Sequence, residues 1–366
     1  MKSKCTNVDL AELLGVSLED LKDRGWSVDA PLVPRHKFQE WTYDELIDLP
    51  DSQWLAGDEE RPVLIANGLW LNYGLFKGGK TYRSMELAFC IAFGLEFHGL
   101  PVSQGNVAYV IAEGGTKRHL KRLLALCEKY KLDPAEALNS GKFNLITTAV
   151  NLAEAKGVDE LLGQLRHHPY VAVWLDTWAR MLSASGGHDS DPDTVGPAIR
   201  GCDRIREALD CTVTIVAHIG WSPAAQERPK GLVDLHGAID GATYCLKEGE
   251  GPNACFRFKS VYQRHAADGY EQLAKLQEFG ADRVFVSAPR HEVAIEKLPA
   301  DVRRCYAILQ GLGDGATVDQ WRDAVKAGGL WSNVKNWRDK WKRAKAALLT
   351  AGVIDIAGEC VSLHDQ

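Results

Sequence analysis

One short segment restricts the fold of this chain more than any other. Residues 74–81 read Gly-Leu-Phe-Lys-Gly-Gly-Lys-Thr and fit the pattern G-x-x-x-x-G-K-(S/T) at every fixed position. An apolar segment, 69–73, precedes this loop, and a helical pattern over about residues 81–93 follows it. The order of strand, glycine-rich loop and helix predicts an α/β fold with the loop at the carboxyl edge of a parallel sheet.

The loop has the composition of a phosphate-binding site. Glycines let backbone N–H groups close around phosphate oxygens without interference from a Cβ atom, and the following helix N-terminus adds a partial positive charge. Lys80 is expected to reach the β- and γ-phosphates, and the Thr81 hydroxyl is expected to ligate Mg²⁺. The predicted nucleotide contacts are Gly74, Lys77, Gly78, Gly79, Lys80, Thr81 and Tyr82.

Apolar runs alternate with helical stretches through the middle of the chain. The earlier runs are nearly continuous, as is typical of strands buried on both faces of a parallel sheet that has helices on each side. The predicted strands are 69–73, 106–111, 143–146, 171–176, 212–217, 242–246 and 255–259. The last two strands read as a hairpin, and residues 265–297 read as a linker.

Polar residues follow three of these strands where a nucleotide would lie. Asp176 ends an apolar strand and is expected to hold Mg²⁺ through water. Glu113 is interpreted as the general base for the attacking water, with an exposed glutamate at a Gly-Gly turn as the alternative. His218 fits either a γ-phosphate sensor or a core or turn histidine. Residues 219–235 are predicted to form a mobile loop carrying basic groups.

The remaining chain divides into two smaller parts around this core. The sequence predicts a helical N-terminal appendage over residues 1–50 and the P-loop domain over residues 51–297. It predicts a winged-helix-like domain, with three helices and a closing hairpin, over residues 298–366. Residues 331–345 contain six basic residues and one acidic residue. Trp337 and Trp341 share a helix face and are expected to pack in the core. The basic face is interpreted as a DNA-binding surface, an ordinary solvated face or a docking surface for a partner protein.

Composition excludes several classes of protein. The chain of 366 residues is 45% hydrophobic and has a net charge of −6, which excludes a disordered chain and a globally basic nucleic-acid coat. The longest nearly apolar run, 87–95, is too short to span a membrane, and the N-terminus does not resemble a signal peptide. The nine scattered cysteines indicate reduced thiols. We therefore expect a cytoplasmic protein without membrane association.

The order of these motifs resembles that of the RecA-like hexameric ATPases, and among them the RepA-type replicative helicases of plasmids and phages. The resemblance extends over roughly residues 54–264 and includes Tyr109-Val-Ile-Ala-Glu113-Gly-Gly, Leu175-Asp176-Thr177 and Ala217-His218. It differs at Lys230, where an arginine is usual. The resemblance implies a RecA-like P-loop NTPase core that uses ATP and Mg²⁺, forms a homo-hexamer and acts on single-stranded DNA with replication partner proteins.

The same resemblance implies roles for individual residues. Lys80, Thr81, Glu113 and Asp176 would serve nucleotide binding, metal binding and hydrolysis, and His218 would take the sensor position. Lys259 or Arg264 would enter the site of a neighbouring subunit as the basic residue that contacts the γ-phosphate.

Three functions are compared for a chain with these motifs. The first is an ATP-dependent DNA helicase or translocase. The second is a RecA-like recombination or annealing ATPase, or a DNA-binding regulatory ATPase without unwinding activity. The third, a small-molecule kinase, is disfavoured because no compact arginine cluster follows the core to form a lid.

Overall fold

The structure is a computed structural model, and its description covers most of the chain in nine segments. These segments are residues 42–43, 53–183, 191–219, 233–251, 254–288, 294–295, 297–313, 316–332 and 334–363. The chain separates into one unit of residues 1–51 and a second unit of residues 52–366. The predicted helical appendage, most of the predicted basic loop and Lys230 lie outside the described residues.

The centre of the second unit is a nine-stranded sheet. A separate two-stranded hairpin precedes it in the chain, formed by β1 (Trp54–Gly57) and β2 (Pro62–Ile65). The nine strands are β3 (Leu69–Gly74), β4 (Asn106–Ile111), β5 (Phe143–Ile146), β6 (Tyr170–Asp176), β7 (Thr212–His218), β8 (Gly241–Glu248), β9 (Cys255–Gln263), β10 (Glu271–Phe279) and β11 (Asp282–Ser287).

Six neighbouring strands of this sheet run parallel, in the order β5-β4-β6-β7-β3-β8. The other three, β9, β10 and β11, continue the sheet in antiparallel pairs beyond β8. The predicted strands and the hairpin of β8 and β9 are therefore present. The structure confirms the predicted α/β class with a mainly parallel central sheet.

Helices cover both faces of the sheet. They are α1 (Lys80–Phe93), α2 (Thr116–Tyr130), α3 (Pro134–Asn139), α4 (Ala155–Leu165), α5 (Trp178–Ser183), α6 (Pro192–Leu209) and α7 (Val233–Ala238). Alternate side chains of β3 enter different cores, since Leu69 and Leu71 pack on one face and Trp70 on the other. Burial on both faces explains why charged residues are rare in the parallel strands and occur only at strand ends.

The predicted linker at 265–297 is wrong. This segment contains the hairpin of β10 and β11, which extends the central sheet. β10 mixes polar and apolar residues because only Gln272 and Ala274 are buried in it, so it lacks the continuous apolar run of the inner strands. Lys129 of α2 fixes the hairpin by donating to the carbonyl oxygen of Phe285 at 2.6 Å and pairs with Glu86 of α1.

The C-terminal segment forms three helices and a hairpin around its own apolar core. These elements are α8 (Ala300–Leu312), α9 (Val318–Ala327), α10 (Trp337–Thr350), β12 (Ile354–Ala357) and β13 (Cys360–Leu363). The ring centroids of Trp321 and Trp341 are 4.5 Å apart in this core. Trp341 is buried as predicted, whereas Trp337 is only partly buried beside it. The winged-helix interpretation of this segment stays a prediction.

Two further properties concern the chain as a whole. None of the described helices has both the length and the apolar character needed to cross a membrane. Eight of the cysteines are described, none of them in a disulfide bond, and among these Cys360 is exposed while the other seven are buried.

Candidate nucleotide-binding site

A cleft of about 610 Å³ lies where the parallel strands β3, β4, β6 and β7 end. The predicted phosphate loop forms one wall of the cleft, and residues that follow the other strands complete it. The predicted site residues that line it are Lys77, Gly78, Gly79, Lys80, Thr81, Tyr82, Glu113, Asp176 and His218. The structure thus brings the residues of four separate motifs to one edge of the sheet, as expected for a ligand site of an open α/β fold.

The conformation of the loop requires glycine at two positions. A Cβ atom on Gly74 would lie 2.1 Å from the carbonyl oxygen of Cys245 on the neighbouring strand. Gly79 has a φ of +85°, in the left-handed region, and a Cβ atom there would lie 2.7 Å from the ring of Phe285. α1 begins directly after Gly79, and no described side chain caps its N-terminus. The N–H groups of this first turn are therefore suited to bind an anion.

Lys80 is buried within the loop, with 4% of its surface exposed. Its Nζ donates hydrogen bonds to the carbonyl oxygens of Gly74 at 2.9 Å and Leu75 at 2.7 Å. Burial lowers the pKa of Lys80 to about 8, although Asp176 and Glu113 nearby favour the charged form. Because no carboxylate contacts the ammonium group directly among the described residues, phosphate oxygens would provide its closest counter-charge.

Asp176 is the most buried carboxylate of the cleft, with 1% of its surface exposed. It accepts a hydrogen bond from the hydroxyl of Tyr109 at 2.8 Å. Burial raises the pKa of Asp176 to about 6, although the hydroxyls of Tyr109 and Thr81 favour the ionised form.

The pairing of Thr81 with Asp176 fits a magnesium ion. A hydroxyl and a carboxylate provide the hard oxygen ligands that Mg²⁺ prefers, and Mg²⁺ commonly completes its coordination with water and substrate phosphates. The described residues contain no group of three or more His, Cys, Asp or Glu side chains that could hold a metal ion without such ligands. Thr81 and Asp176 are therefore the residues that would hold Mg²⁺ together with a nucleotide.

Glu113 follows β4 and projects into the same cleft. Its Oε1 accepts a hydrogen bond from the hydroxyl of Thr177 at 2.8 Å and lies 3.6 Å from Nε of Arg180. Gly114 and Gly115 follow with φ values of +89° and +73°, so the backbone turns sharply after this residue. The side chain is 39% exposed, which leaves water access to a carboxylate that is held in position. This geometry is compatible with a general base.

His218 ends β7 beside the phosphate loop, opposite Gly74 in the parallel pairing. Its ring centroid is 6.0 Å from that of Phe76 in the loop. Burial lowers the pKa of His218, and the charge of Lys80 acts in the same direction, so the imidazole is neutral near pH 7. Its Nδ1 is buried and has no hydrogen-bond partner among the described residues. A neutral ring at this position is able to accept a hydrogen bond from a ligand or to donate one to it.

Lys259 and Arg264 do not join this cleft. Lys259 lies within β9, with its Nζ 3.8 Å from Oε1 of Glu271 on β10. Arg264 follows β9 and donates to the carbonyl oxygen of Gly237 at 2.6 Å. Because the end of β9 pairs with the start of β8, Arg264 lies at the sheet edge opposite the phosphate loop. A role for either residue in the site of a neighbouring subunit stays a prediction.

The structure adds cleft residues that the sequence analysis missed. Thr177 and Tyr109 bind the two carboxylates, and four cations line the walls: Arg118, Arg122, Arg180 and Lys247. The guanidinium of Arg122 stacks on the ring of Tyr82 at 4.2 Å. Two spacings could have indicated some of these cations, since Arg118 and Arg122 are four residues apart in α2 and Arg180 follows Asp176 by four residues. With Lys77 and Lys80, the cations outnumber the carboxylates Glu113 and Asp176, as suits a polyanionic ligand.

The chain matches one family of known proteins and is similar to two solved structures. A family model described as "AAA domain" matches residues 34–224. The crystal structure of the RadB recombinase is similar with a TM-score of 0.45 and 16% identity, over 61% of this chain and 92% of that chain. The flagellar accessory protein FlaH from Methanocaldococcus jannaschii is similar with a TM-score of 0.43 and 12% identity, over 61% of this chain and 91% of that chain. No curated protein sequence matches the chain.

Proposed function

Because the chain belongs to the AAA domain family, whose model matches more than half of its length, we propose that it hydrolyses ATP and uses the energy to move along DNA. The proposed protein is a helicase or translocase of RepA type that forms a ring of six subunits with an ATP site at each interface. The observation that carries the ATPase part is the meeting of Lys80, Thr81, Asp176 and Glu113 in one cleft.

The arrangement assigns a role to each of these residues in hydrolysis. Lys80 and the N–H groups of the loop bind the β- and γ-phosphates, while Thr81 and Asp176 would hold Mg²⁺, which would supply positive charge to neutralise the phosphates. Glu113 accepts a proton from water as the water oxygen bonds to the γ-phosphorus. The bond between that phosphorus and the β,γ-bridging oxygen breaks, and its electron pair leaves with ADP.

The raised pKa of Asp176 predicts an acidic limit for this activity. The carboxylate must be ionised to hold Mg²⁺, so ATP hydrolysis should fall as the pH decreases through about 6, by roughly tenfold per unit below the midpoint. Higher Mg²⁺ concentration should move the midpoint to lower pH, because the metal competes with the proton. The measurement is the pH profile of ATP turnover at two Mg²⁺ concentrations. A midpoint pH that is the same at both concentrations would contradict this role of Asp176.

The DNA part of the proposal is supported by the resemblance to RepA-type helicases and by the surface of α10. Trp341, Ala344 and Leu348 form the buried side of this helix. The cations of α10 and the lysine just before it are exposed or half-exposed. They are Lys335, Arg338, Lys340, Lys342, Arg343 and Lys345. None of these six forms an ion pair with a residue in the described part of the chain. Such a surface attracts phosphate backbones by release of counterions.

Three of these cations provide a test of DNA binding. Arg338, Lys342 and Lys345 are spaced by four and three residues, so they lie on one side of α10. Replacing all three with alanine should weaken binding of single-stranded DNA and reduce the slope of log affinity against log salt by about 2. Binding is measured by fluorescence anisotropy at several salt concentrations.

A charge-matched control removes three exposed cations elsewhere, Lys142, Lys156 and Arg166. We expect this triple alanine variant to retain the wild-type slope. Equal slopes in all three proteins would exclude α10 as the DNA-binding surface and would favour a docking surface for an acidic partner protein.

An annealing, recombination or regulatory ATPase is the alternative function. A helicase should hydrolyse ATP faster with single-stranded DNA and should separate a forked duplex only when ATP is present. Stimulation without strand separation would favour the alternative. Mass measurement of the complex with and without ATP tests the proposed ring.

A further inference from the structure

We propose that Arg180 is a switch residue of the ATP site, which holds Glu113 when no nucleotide is bound and contacts the γ-phosphate when ATP is bound. This inference rests on the proposed ATP hydrolysis and describes how the same site is regulated. It explains why an exposed carboxylate and an exposed arginine are paired in the cleft that would receive the triphosphate.

The position of Arg180 follows from the short helix α5. Asp176 ends β6, Thr177 follows it, and Arg180 lies one helical turn further on. Nε of Arg180 is 3.6 Å from Oε1 of Glu113, the same oxygen that accepts the hydrogen bond from Thr177. With a hydroxyl and a guanidinium beside it, this oxygen has reduced capacity to accept a further hydrogen bond from water. Oε1 of Glu113 is therefore engaged by both Thr177 and Arg180.

The pair between Arg180 and Glu113 is suited to exchange. The Arg180 side chain is 61% exposed, and ion pairs in such positions contribute little because water screens them. Arg180 also lines the cleft that contains Lys80 and Thr81, so its long side chain is close to the expected phosphates. A guanidinium binds phosphate with two parallel hydrogen bonds, which makes a γ-phosphate a stronger partner than one carboxylate oxygen.

The exchange would couple Glu113 to the presence of the γ-phosphate. When Arg180 moves to the γ-phosphate, Glu113 keeps the hydrogen bond from Thr177 and gains capacity to accept the proton of the attacking water. ADP lacks the γ-phosphate and would leave Arg180 on Glu113. The general base would thus be released only when hydrolysable nucleotide is bound.

The first test compares the affinities of a non-hydrolysable ATP analogue and of ADP. Arg180→Gln should weaken binding of the analogue about tenfold or more, because a hydrogen-bonded charge on the γ-phosphate is lost, and should leave ADP affinity unchanged. The matched control is Arg204→Gln on α6, which removes an exposed arginine that lies 2.5 Å from Asp159, away from the cleft. The control should leave both affinities unchanged. An unchanged ratio of analogue to ADP affinity in Arg180→Gln would overturn the inference.

The second test uses Glu113→Gln in combination with Arg180→Gln. Removing the carboxylate charge should remove the ion pair between Glu113 and Arg180 and raise the affinity for the analogue a few-fold, since exposed ion pairs are weak. This gain should disappear in the double variant, whereas a gain that persists there would contradict the exchange. Failure of the proposed function would appear differently, as wild-type protein that binds the analogue but does not hydrolyse ATP.

Discussion

Replacement of Lys80 by alanine should abolish ATP hydrolysis, with a loss of about 10³-fold or more. The Nζ of Lys80 lies inside the phosphate loop and is held by two loop carbonyl oxygens. A bound triphosphate would lose its main buried counter-charge, so nucleotide affinity should fall as well. ATP turnover and nucleotide binding by calorimetry measure the two effects.

The control for this variant is Lys117→Ala, which removes an exposed lysine of α2 outside the cleft lining. It should retain wild-type turnover. Because Lys80 also makes hydrogen bonds within the loop, the thermal unfolding midpoint of Lys80→Ala must be compared with that of the wild type. Near-normal turnover in a folded Lys80→Ala protein would refute the assignment of this loop as the phosphate site.

Glu113→Gln should separate binding from hydrolysis. The amide preserves the size of the side chain and its hydrogen bond with Thr177, but it cannot accept a proton from water. We expect ATP to bind while turnover decreases by about 10²-fold or more. Single-turnover hydrolysis of bound ATP measures this step directly.

The matched control is Glu207→Gln, an exposed glutamate on α6. Normal hydrolysis is expected there. If Glu113→Gln also hydrolyses ATP normally, the base lies elsewhere, and the exposed-turn interpretation of Glu113 gains support.

Much of the parallel sheet could be predicted because strands that are buried on both faces consist mainly of apolar and β-branched residues. β3 is apolar except for Asn72, and β7 alternates threonine with valine and isoleucine before it ends at His218 in the cleft. The phosphate loop could be predicted for a different reason, since all the residues of its pattern lie between Gly74 and Thr81. Both patterns occupy short stretches of chain, so they are visible without a structure.

Other features depend on contacts between distant segments and left no local pattern. β10 and β11 read as a linker because they form a partly exposed edge hairpin. Arg180 is 67 residues beyond Glu113 in the sequence, and only the pairing of β4 with β6 brings them together. Tyr109 looks like any apolar strand residue until its hydroxyl is seen to bind Asp176.

The hairpin of β10 and β11 contacts the phosphate-loop region and precedes the C-terminal segment in the chain. Phe285 lies against the position of a Cβ atom on Gly79, and the hydroxyl of Tyr82 donates to Asp282 at 3.2 Å. The loop and the first turn of α1 therefore pack against an antiparallel hairpin. A loop in another position would have to change these contacts, and the same hairpin precedes α8 in the chain.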